Sequence, residues 1–331
     1  MQKNKYIRAV IWLSLVFTFN WSAVAKDPLP SWNDGVSKQT IINFVERVTD
    51  PENPDFVAKG DRIATFDNDG TLWAEQPLYA QLMFAIERIH VLAEKYPEWK
   101  TKQPFSLILK GDIKGALSAG DDAVMDIVMA ANAGMTNEQY TEIVKEWMGR
   151  ATHPVSKKKF SEMIYQPMLE LINYLKVNDF KNYIVSGGGI EFIRAWSDLV
   201  YGIPAEQIVG TIMVTKYEEV DGKRVIVRYP EMSFYNNKHN KVIGISNHIG
   251  KRPIAAFGNS DGDIQMLQYT TSGQGARLGM IIHHTDEKRE WAYDRKSKIG
   301  HLSKGLDMAK ELGWTVVDMK NEWKSIYPNS N

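Results

Sequence analysis

Three short apolar runs, IATF at 63–66, NYIV at 182–185 and PIAAF at 253–257, each stop abruptly at a polar turn carrying glycine. Runs of that length, rich in β-branched and aromatic residues and ended by turn formers, read as buried strands. Helical texture lies between them. From Pro77 onward Leu78, Leu82, Ile86, Ile89 and Ala93 recur at spacings of three to four, and Thr136 and Gln139 have capping-box spacing at a helix start. PMLELINYLK puts Leu169, Ile172 and Leu175 on one helical face, IEFIRAWSDLVYG continues as helix, and NKVIGISNHIG is a further helix. Strands alternating with helices specify a parallel sheet covered on both faces. In such sheets ligands sit at the carboxyl ends of strands, where the order of the strands reverses. The turns at Asp67, Ser186 and Asn259 should therefore gather on one edge.

Two segments depart from this alternation. Roughly residues 75–165 form a mostly helical block without clear strands. GTIMVTKYEEVDGKRVIVRY has two β-rich arms around Asp221-Gly222, a hairpin signal that would rim the site or merely brace it. SKQTIINFVERVTD, near the start, is helical and ends at the breakers DPENPD.

The first 25 residues have a different character. Lys3, Lys5 and Arg8 precede AVIWLSLVFTF, an apolar run of 11 residues, and Ala23-Val24-Ala25 has the small-x-small form of a cleavage site. That order is a secretory signal, cleaved after Ala25; the run is short for a membrane span of ~20 residues. Export, to the periplasm, is the expectation. The chain has 40 basic and 40 acidic residues, so nothing in it suggests a nucleic-acid footprint, and no other stretch is long and apolar enough to span a bilayer. Cysteine is absent, which excludes thiolate catalysis and Cys-zinc sites and does not contradict export.

The chemistry starts at FDNDGTLW, residues 66–73. An aspartate can attack phosphorus and form an aspartyl phosphate, provided a cation offsets the repulsion between two anions. Side chains two positions apart on extended backbone share a side, so Asp67 and Asp69 can serve one site: Asp67 attacking, Asp69 protonating the leaving oxygen and then activating water. Gly70 permits the sharp exit and Thr71 can anchor the loop. Alone, the motif is equally an Asx-type turn. Ser186, followed by Gly187, offers a hydroxyl and free backbone N–H groups as a phosphate cradle, or simply an N-cap. Lys238 and Lys241 open a helix, and either can bridge nucleophile and phosphate. Asn259, Asp261 and Asp263 are oxygen donors suited to a hard cation such as Mg²⁺. Four such groups in this order make the catalytic reading the stronger one.

This order resembles the haloacid dehalogenase-like hydrolase superfamily, most closely its phosphoserine-phosphatase-like branch, over residues from about 60 to 290. The resemblance implies an α/β fold, a Rossmann-like parallel sheet core (26–74 and 166–331) with an inserted mostly helical cap (75–165). It implies Mg²⁺-dependent hydrolysis of small phosphomonoesters, with Asp67 as nucleophile and Asp69 as acid/base that also lends its backbone carbonyl to the metal. Ser186 and Gly187 would bind phosphate, and Lys241 rather than Lys238 would be the active-site lysine. Asp67, Asp69, Asn259 and Asp263 would hold the metal. The pattern departs at Asn259, where the family most often has Asp, so an amide oxygen stands in for a carboxylate and Asp261 could compensate. Asp69 argues against dehalogenation. Trp73 and Glu75 are expected at the hinge between core and cap. His283 and His284, adjacent on a strand, point to opposite faces and make a poor ligand pair with Asp286. The rival readings are a phosphotransferase using the same intermediate and a phosphate-ester-binding protein without turnover.

Overall fold

A computed structural model describes residues 26–328; the expected signal segment at 1–25 lies outside the described residues. Among the described residues eight strands form one sheet: β1 (Ile63–Phe66), β2 (Lys181–Gly189), β3 (Ile208–Val220), β4 (Lys223–Phe234), β5 (Ala255–Gly258), β6 (Leu278–Thr285), β7 (Ala292–Tyr293) and β8 (Thr315–Asp318). Their order is β4-β3-β2-β1-β5-β6-β7, with β8 also paired to β6. The centre is parallel, β1 lying between β2 and β5, and antiparallel pairing enters at β3–β4 and β6–β7. Because β1 is the first strand in sequence and sits inside the sheet, the order reverses beside it.

Helix α1 (Val36–Thr49) precedes β1. Between β1 and β2 run α2 (Ala80–Leu92), α3 (Phe105–Leu109), α4 (Ile113–Ser118), α5 (Asp121–Asn132), α6 (Asn137–Arg150) and α7 (Gln166–Val177). Two short helices, α8 (Ile190–Arg194) and α9 (Ser197–Tyr201), follow β2; α10 (His239–His248) follows β4, and α11 (Ile264–Thr271) follows β5. The single helix expected over 190–202 is thus two, separated at Trp196, whose φ of −139° leaves the helical region while its ring stacks on Trp73 at 4.5 Å. Tertiary packing of one large ring overrides a continuous helical pattern here.

Period-two alternation divides the strands between two cores. Phe66, Ile184, Ile208, Phe257, Met280 and Ile282 face one side, with Ile41 and Val45 of α1 and Leu171 and Leu175 of α7. Val185, Val209, Ala256 and Ile281 face the other, with Ile245 of α10 and Leu267 of α11. Both faces are therefore covered, as the apolar runs require. A third cluster, with Leu82, Ile89, Trp99, Phe105, Ile108 and Ile127, belongs to α2–α5 alone. Tyr140, Val144 and Trp147 of α6 pack instead into the first core. The capping box that starts α6 is present, Thr136 Oγ1 accepting from Gln139 N and Gln139 Oε1 from Thr136 N.

The hairpin is longer than a local turn needs. Its arms have 13 and 12 residues and close across Asp221 and Gly222, at φ +51° and +75°. Positive φ at both central residues gives the twist that matches the strands, which is why an Asp-Gly pair sits there. Among the described residues no helix is long and apolar enough to cross a membrane.

Candidate active site

Register brings the three turns together. Phe66 pairs with Ile184 on one side and Phe257 on the other, and the Phe66 and Phe257 rings stack at 4.6 Å. Asp67 and Asn259, just past the ends of β1 and β5, and Ser186, near the end of β2, therefore lie on one edge. Asp67 N donates to the Phe257 carbonyl at 2.9 Å, tying the first turn to the third strand.

Lys241, in the first turn of α10, reaches this edge from below. Its Nζ donates to Asp67 Oδ1 and Asp263 Oδ1, each at 2.6 Å, and it is buried. Lys238 is exposed and begins the helix at φ +54°. Burial pulls the Lys241 pKa down, but the carboxylates of Asp263 and Asp67 more than offset it and hold the ammonium charged. Asp67 goes the other way: burial, then repulsion from Asp263, push it up to about 7 against the pull of Lys241. Burial also raises Asp69, whose Oδ1 accepts from Trp73 Nε1 at 2.8 Å. Asp67 and Asp69 line one cavity with Ser186, Gly187 and Lys241.

Asp263, expected among the metal donors, is committed elsewhere. Its Oδ1 takes Lys241, and its Oδ2 accepts from Asn259 N and Ser260 N at 3.0 Å and from Ser260 Oγ at 3.1 Å. It shapes the turn and aims the lysine. Gly258 fits this closeness, since a Cβ there would run into the Asp263 side chain. Asp261 does not compensate for Asn259 either. Its carboxylate accepts from Ser303 N and Gly305 N at 2.9 Å and Lys304 N at 3.1 Å, at the start of a short helix, Lys304–Ala309.

Asn259 itself is locked in one orientation. Its Oδ1 accepts from Thr71 Oγ1 at 3.1 Å and its Nδ2 donates to Glu75 Oε1 at 2.7 Å. Glu75 is buried and also accepts from the Tyr293 hydroxyl at 2.8 Å. Burial raises its pKa well above the usual range, and the charges of Asp69 and Asp67 add to that. Gly70, at φ +77°, lets the loop pass over this pair, because a Cβ there would meet Asn259 Nδ2 and Glu75 Oε1. His284 braces the same loop: its Nε2 lies 2.7 Å from the Gly70 carbonyl and its Nδ1 3.1 Å from Glu290 Oε2. His283 points the other way, toward Asp294, as adjacent strand positions require, and Asp286 is engaged by Arg289.

The glycine run that ends β2 differs from the free cradle expected. Gly188 N donates to Ser186 Oγ at 3.0 Å and Gly189 N to Gln81 Oε1 at 2.8 Å, while Thr211 Oγ1 donates to the Gly187 carbonyl at 2.7 Å. Buried amides find partners, and Gln81, in the first turn of α2, supplies one. Gln81 and Tyr293 carry no motif that sequence reading could have caught. The role of Glu75 had a faint signal: an acid close to the first turn, in a chain lacking one at 259.

The donors fit a hard divalent cation. Asp67, Asp69 and Glu75 line one cavity with Lys241, whose ammonium is already shared by Asp67 and Asp263; burial raises all three carboxyls, and for Asp67 and Glu75 neighbouring carboxylates add to it. Among the described residues no three His, Asp or Glu side chains form a ligand cluster by themselves, so the set needs an amide and a backbone carbonyl as well.

Comparison with known proteins agrees with this architecture. In overall shape the chain is similar to a conserved protein of unknown function from Anaerococcus prevotii: 14% identity, TM-score 0.54, covering 85% of this chain and 91% of that one. A protein of unknown function from Bordetella pertussis aligns at 14% identity and TM-score 0.48 over 78% and 98%, and a probable phosphoserine phosphatase from Vibrio cholerae at 13% and 0.37 over 78% and 67%. No curated protein matches it in sequence. The sequence model of the haloacid dehalogenase-like hydrolases matches residues 64–268, from β1 through most of α11 and across all three turns. On that match over more than half its length, the chain belongs to the haloacid dehalogenase-like hydrolase family.

Proposed function

We propose that the chain is a Mg²⁺-dependent phosphomonoesterase working on small phosphorylated substrates. The observation that carries this reading is the Lys241 bridge, with Asp67 and Asp263 both at 2.6 Å on a cavity that Asp69 and Ser186 also line. Asp67 attacks phosphorus through a carboxylate oxygen, and the bond from phosphorus to the ester oxygen breaks as Asp69 delivers a proton to the leaving alcohol. Asp69 then takes a proton from water, which cleaves the aspartyl phosphate and restores Asp67. Lys241 neutralises the nucleophile and the phosphoryl oxygens, and the Ser186 hydroxyl binds phosphate. Asp67, the Asp69 backbone carbonyl and Asn259 Oδ1 would hold Mg²⁺, which supplies charge neutralisation and keeps Asp67 ionised. Asp263 acts here as the positioner of Lys241.

The cap, in this reading, is the α2–α5 unit with its own core, and α6 belongs to the hydrolase body. Gln81 would couple the cap to the phosphate turn. A covered site favours small substrates, since a closing lid excludes water. The proposed site of action is the periplasm, after removal of 1–25; N-terminal sequencing of the exported protein tests that.

The deciding experiment is phosphate release from a panel of small esters by residues 26–331, with Mg²⁺ and with EDTA. Metal-dependent release is expected. A folded protein that releases nothing at any Mg²⁺ concentration would leave the ester-binding reading. An added acceptor alcohol separates hydrolysis from transfer in the same assay.

A further inference from the structure

The cavity above the catalytic turns has a volume of about 210 Å³, below the roughly 300–1,000 Å³ of sites for drug-sized ligands. It suits a phosphate with a short carbon body. Its two ends differ. Acidic lining residues, Asp67, Asp69 and Glu75, all belong to the catalytic loop, whereas Leu82, Val124, Met125, Val128 and Met213 make an apolar wall. Within that second region sits Arg228 of β4, buried, together with Asn132 at the end of α5.

Arg228 has unusual company for a buried guanidinium. Nε donates to the Asn132 carbonyl at 3.3 Å, Nη1 donates to Asn137 Oδ1 at 3.0 Å, and the group lies over the Tyr140 ring at 4.2 Å. All three partners are neutral. Among the described residues no carboxylate is within ion-pair distance; Glu191 acts on it only through space and is itself paired with Arg194. Buried arginines are ordinarily matched by an acid, because an unmatched charge away from water is costly. Its side-chain bonds brace the hairpin against α5 and α6, yet neutral partners leave its charge unmatched and the backbone already makes the same junction. Hairpin and helical block are joined by Arg228 N donating to the Met135 carbonyl and Gly134 N to the Arg228 carbonyl, which are backbone bonds that most residues at 228 would make. Beside it, Asn132 Oδ1 is buried without a hydrogen-bond partner. The guanidinium thus brings a positive charge without an acid partner to this small cavity, and Asn132 Oδ1, an acceptor, is open there to a hydroxyl donor.

We propose that the substrate is a phosphomonoester bearing a second anionic group on a short apolar body, and that Arg228 binds that group. The inference rests on the phosphatase reading and names its substrate class. The phosphate lies on the Asp67–Ser186–Lys241 floor, the carbon body against Met213 and α5, and the second anion on the Arg228 guanidinium. Among the described residues no acid lines the apolar wall to meet a substrate ammonium. Anionic esters are therefore preferred over neutral ones, and neutral ones over amino esters.

The test compares 3-phosphoglycerate, glycerol 3-phosphate and phosphoethanolamine as substrates of residues 26–331 with Mg²⁺. A kcat/KM advantage of ~tenfold or more for 3-phosphoglycerate over glycerol 3-phosphate is expected, carried mainly by KM, as a charge-assisted contact would give. Propane-1,3-diyl bisphosphate tells whether a second phosphate serves as well as a carboxylate. Arg228→Gln should collapse the ratio between anionic and neutral esters toward one. Equal efficiency for all esters, or a folded Arg228→Gln protein that keeps the ratio, overturns the proposal. If Arg228→Gln fails to fold, Met125→Glu, which adds an acid to the half-exposed wall, should lower the same ratio; an unchanged ratio there counts against the proposal. If no ester is hydrolysed, the phosphatase reading fails, and calorimetric binding of 3-phosphoglycerate against glycerol 3-phosphate decides the subsite alone, tighter binding of the former supporting it and equal binding refuting it.

Discussion

The floor of the cavity and its apolar wall meet within one small space but are built by different means. On the floor, three strands end side by side and every key group is fixed by partners close in space: Lys241 between two carboxylates, Asn259 between Thr71 and Glu75, Asp263 on two backbone amides. The wall comes from α2, α5 and a hairpin distant in sequence, its side chains are largely apolar, and its one guanidinium has only neutral partners. The floor is organised for one chemistry. In the proposed reading the wall selects what reaches it and can change without disturbing the floor.

The comparison is broken most sharply at Asp67. Asp67→Asn keeps an acceptor for Lys241 but removes the attacking carboxylate, so turnover should fall by ~10³-fold or more with the melting temperature nearly unchanged. Near-wild-type phosphate release by this variant would remove Asp67 from the mechanism. Next comes the lysine. Lys241→Ala leaves Asp67 and Asp263 facing each other without a cation, and breaking a buried pair of this kind costs ~3–5 kcal/mol. Lys238→Ala, at an exposed site, should change stability by no more than ~0.5 kcal/mol. Chemical denaturation of both variants, with turnover measured beside it, reads the difference; the opposite order would transfer the role.

A subtler break lies at Asn259. Restoring the acid by Asn259→Asp would place two carboxylates where Asn259 Nδ2 now donates to Glu75 Oε1 at 2.7 Å. The expected result is a loss of activity of roughly tenfold, not a gain, with recovery in the double variant Asn259→Asp/Glu75→Gln, because residues in direct contact couple rather than add. Mg²⁺ titration by calorimetry should follow the same pattern. A single Asn259→Asp variant that binds metal and turns over at least as well as wild type would show that Glu75 does not set the identity of residue 259.

The same division governs what could be read from the sequence. That Asp67, Asp69, Ser186 and Lys241 meet at one cavity is legible because each sits near a strand end or helix start, where a few neighbouring residues dictate position. The sheet was legible from its apolar runs, and the Asp221-Gly222 turn from its own chemistry. The bond from Lys241 to Asp263 is not legible locally, since only the fold reveals that α10 delivers the lysine onto it. The bonding of Gly189 to Gln81 and the setting of Arg228 depend on contacts spanning 108 and 96 residues, which no local pattern encodes. Trp196 illustrates the same limit in the fold: its helical segment splits because of a ring more than a hundred positions earlier.

The smallest expected effect tests whether wall and floor are separable. Thr136 caps α6 and also bridges Val227, next to Arg228 on the hairpin, so it lies on the seam between helical block and hairpin. Thr136→Ala removes the side-chain half of the capping box, worth ~1 kcal/mol, without touching any group on the floor. The loss should loosen the seam locally, seen as faster hydrogen exchange of the amides in the first turn of α6 and at Gly134 and Arg228, while the amides of β1 and β5 keep their protection. Since the floor is held by its own bonds, kcat should stay within about twofold while KM for an anionic ester rises modestly. A fall in kcat matching the rise in KM would mean that strain at the seam reaches Asp67 and Lys241, and that the two regions work as one unit.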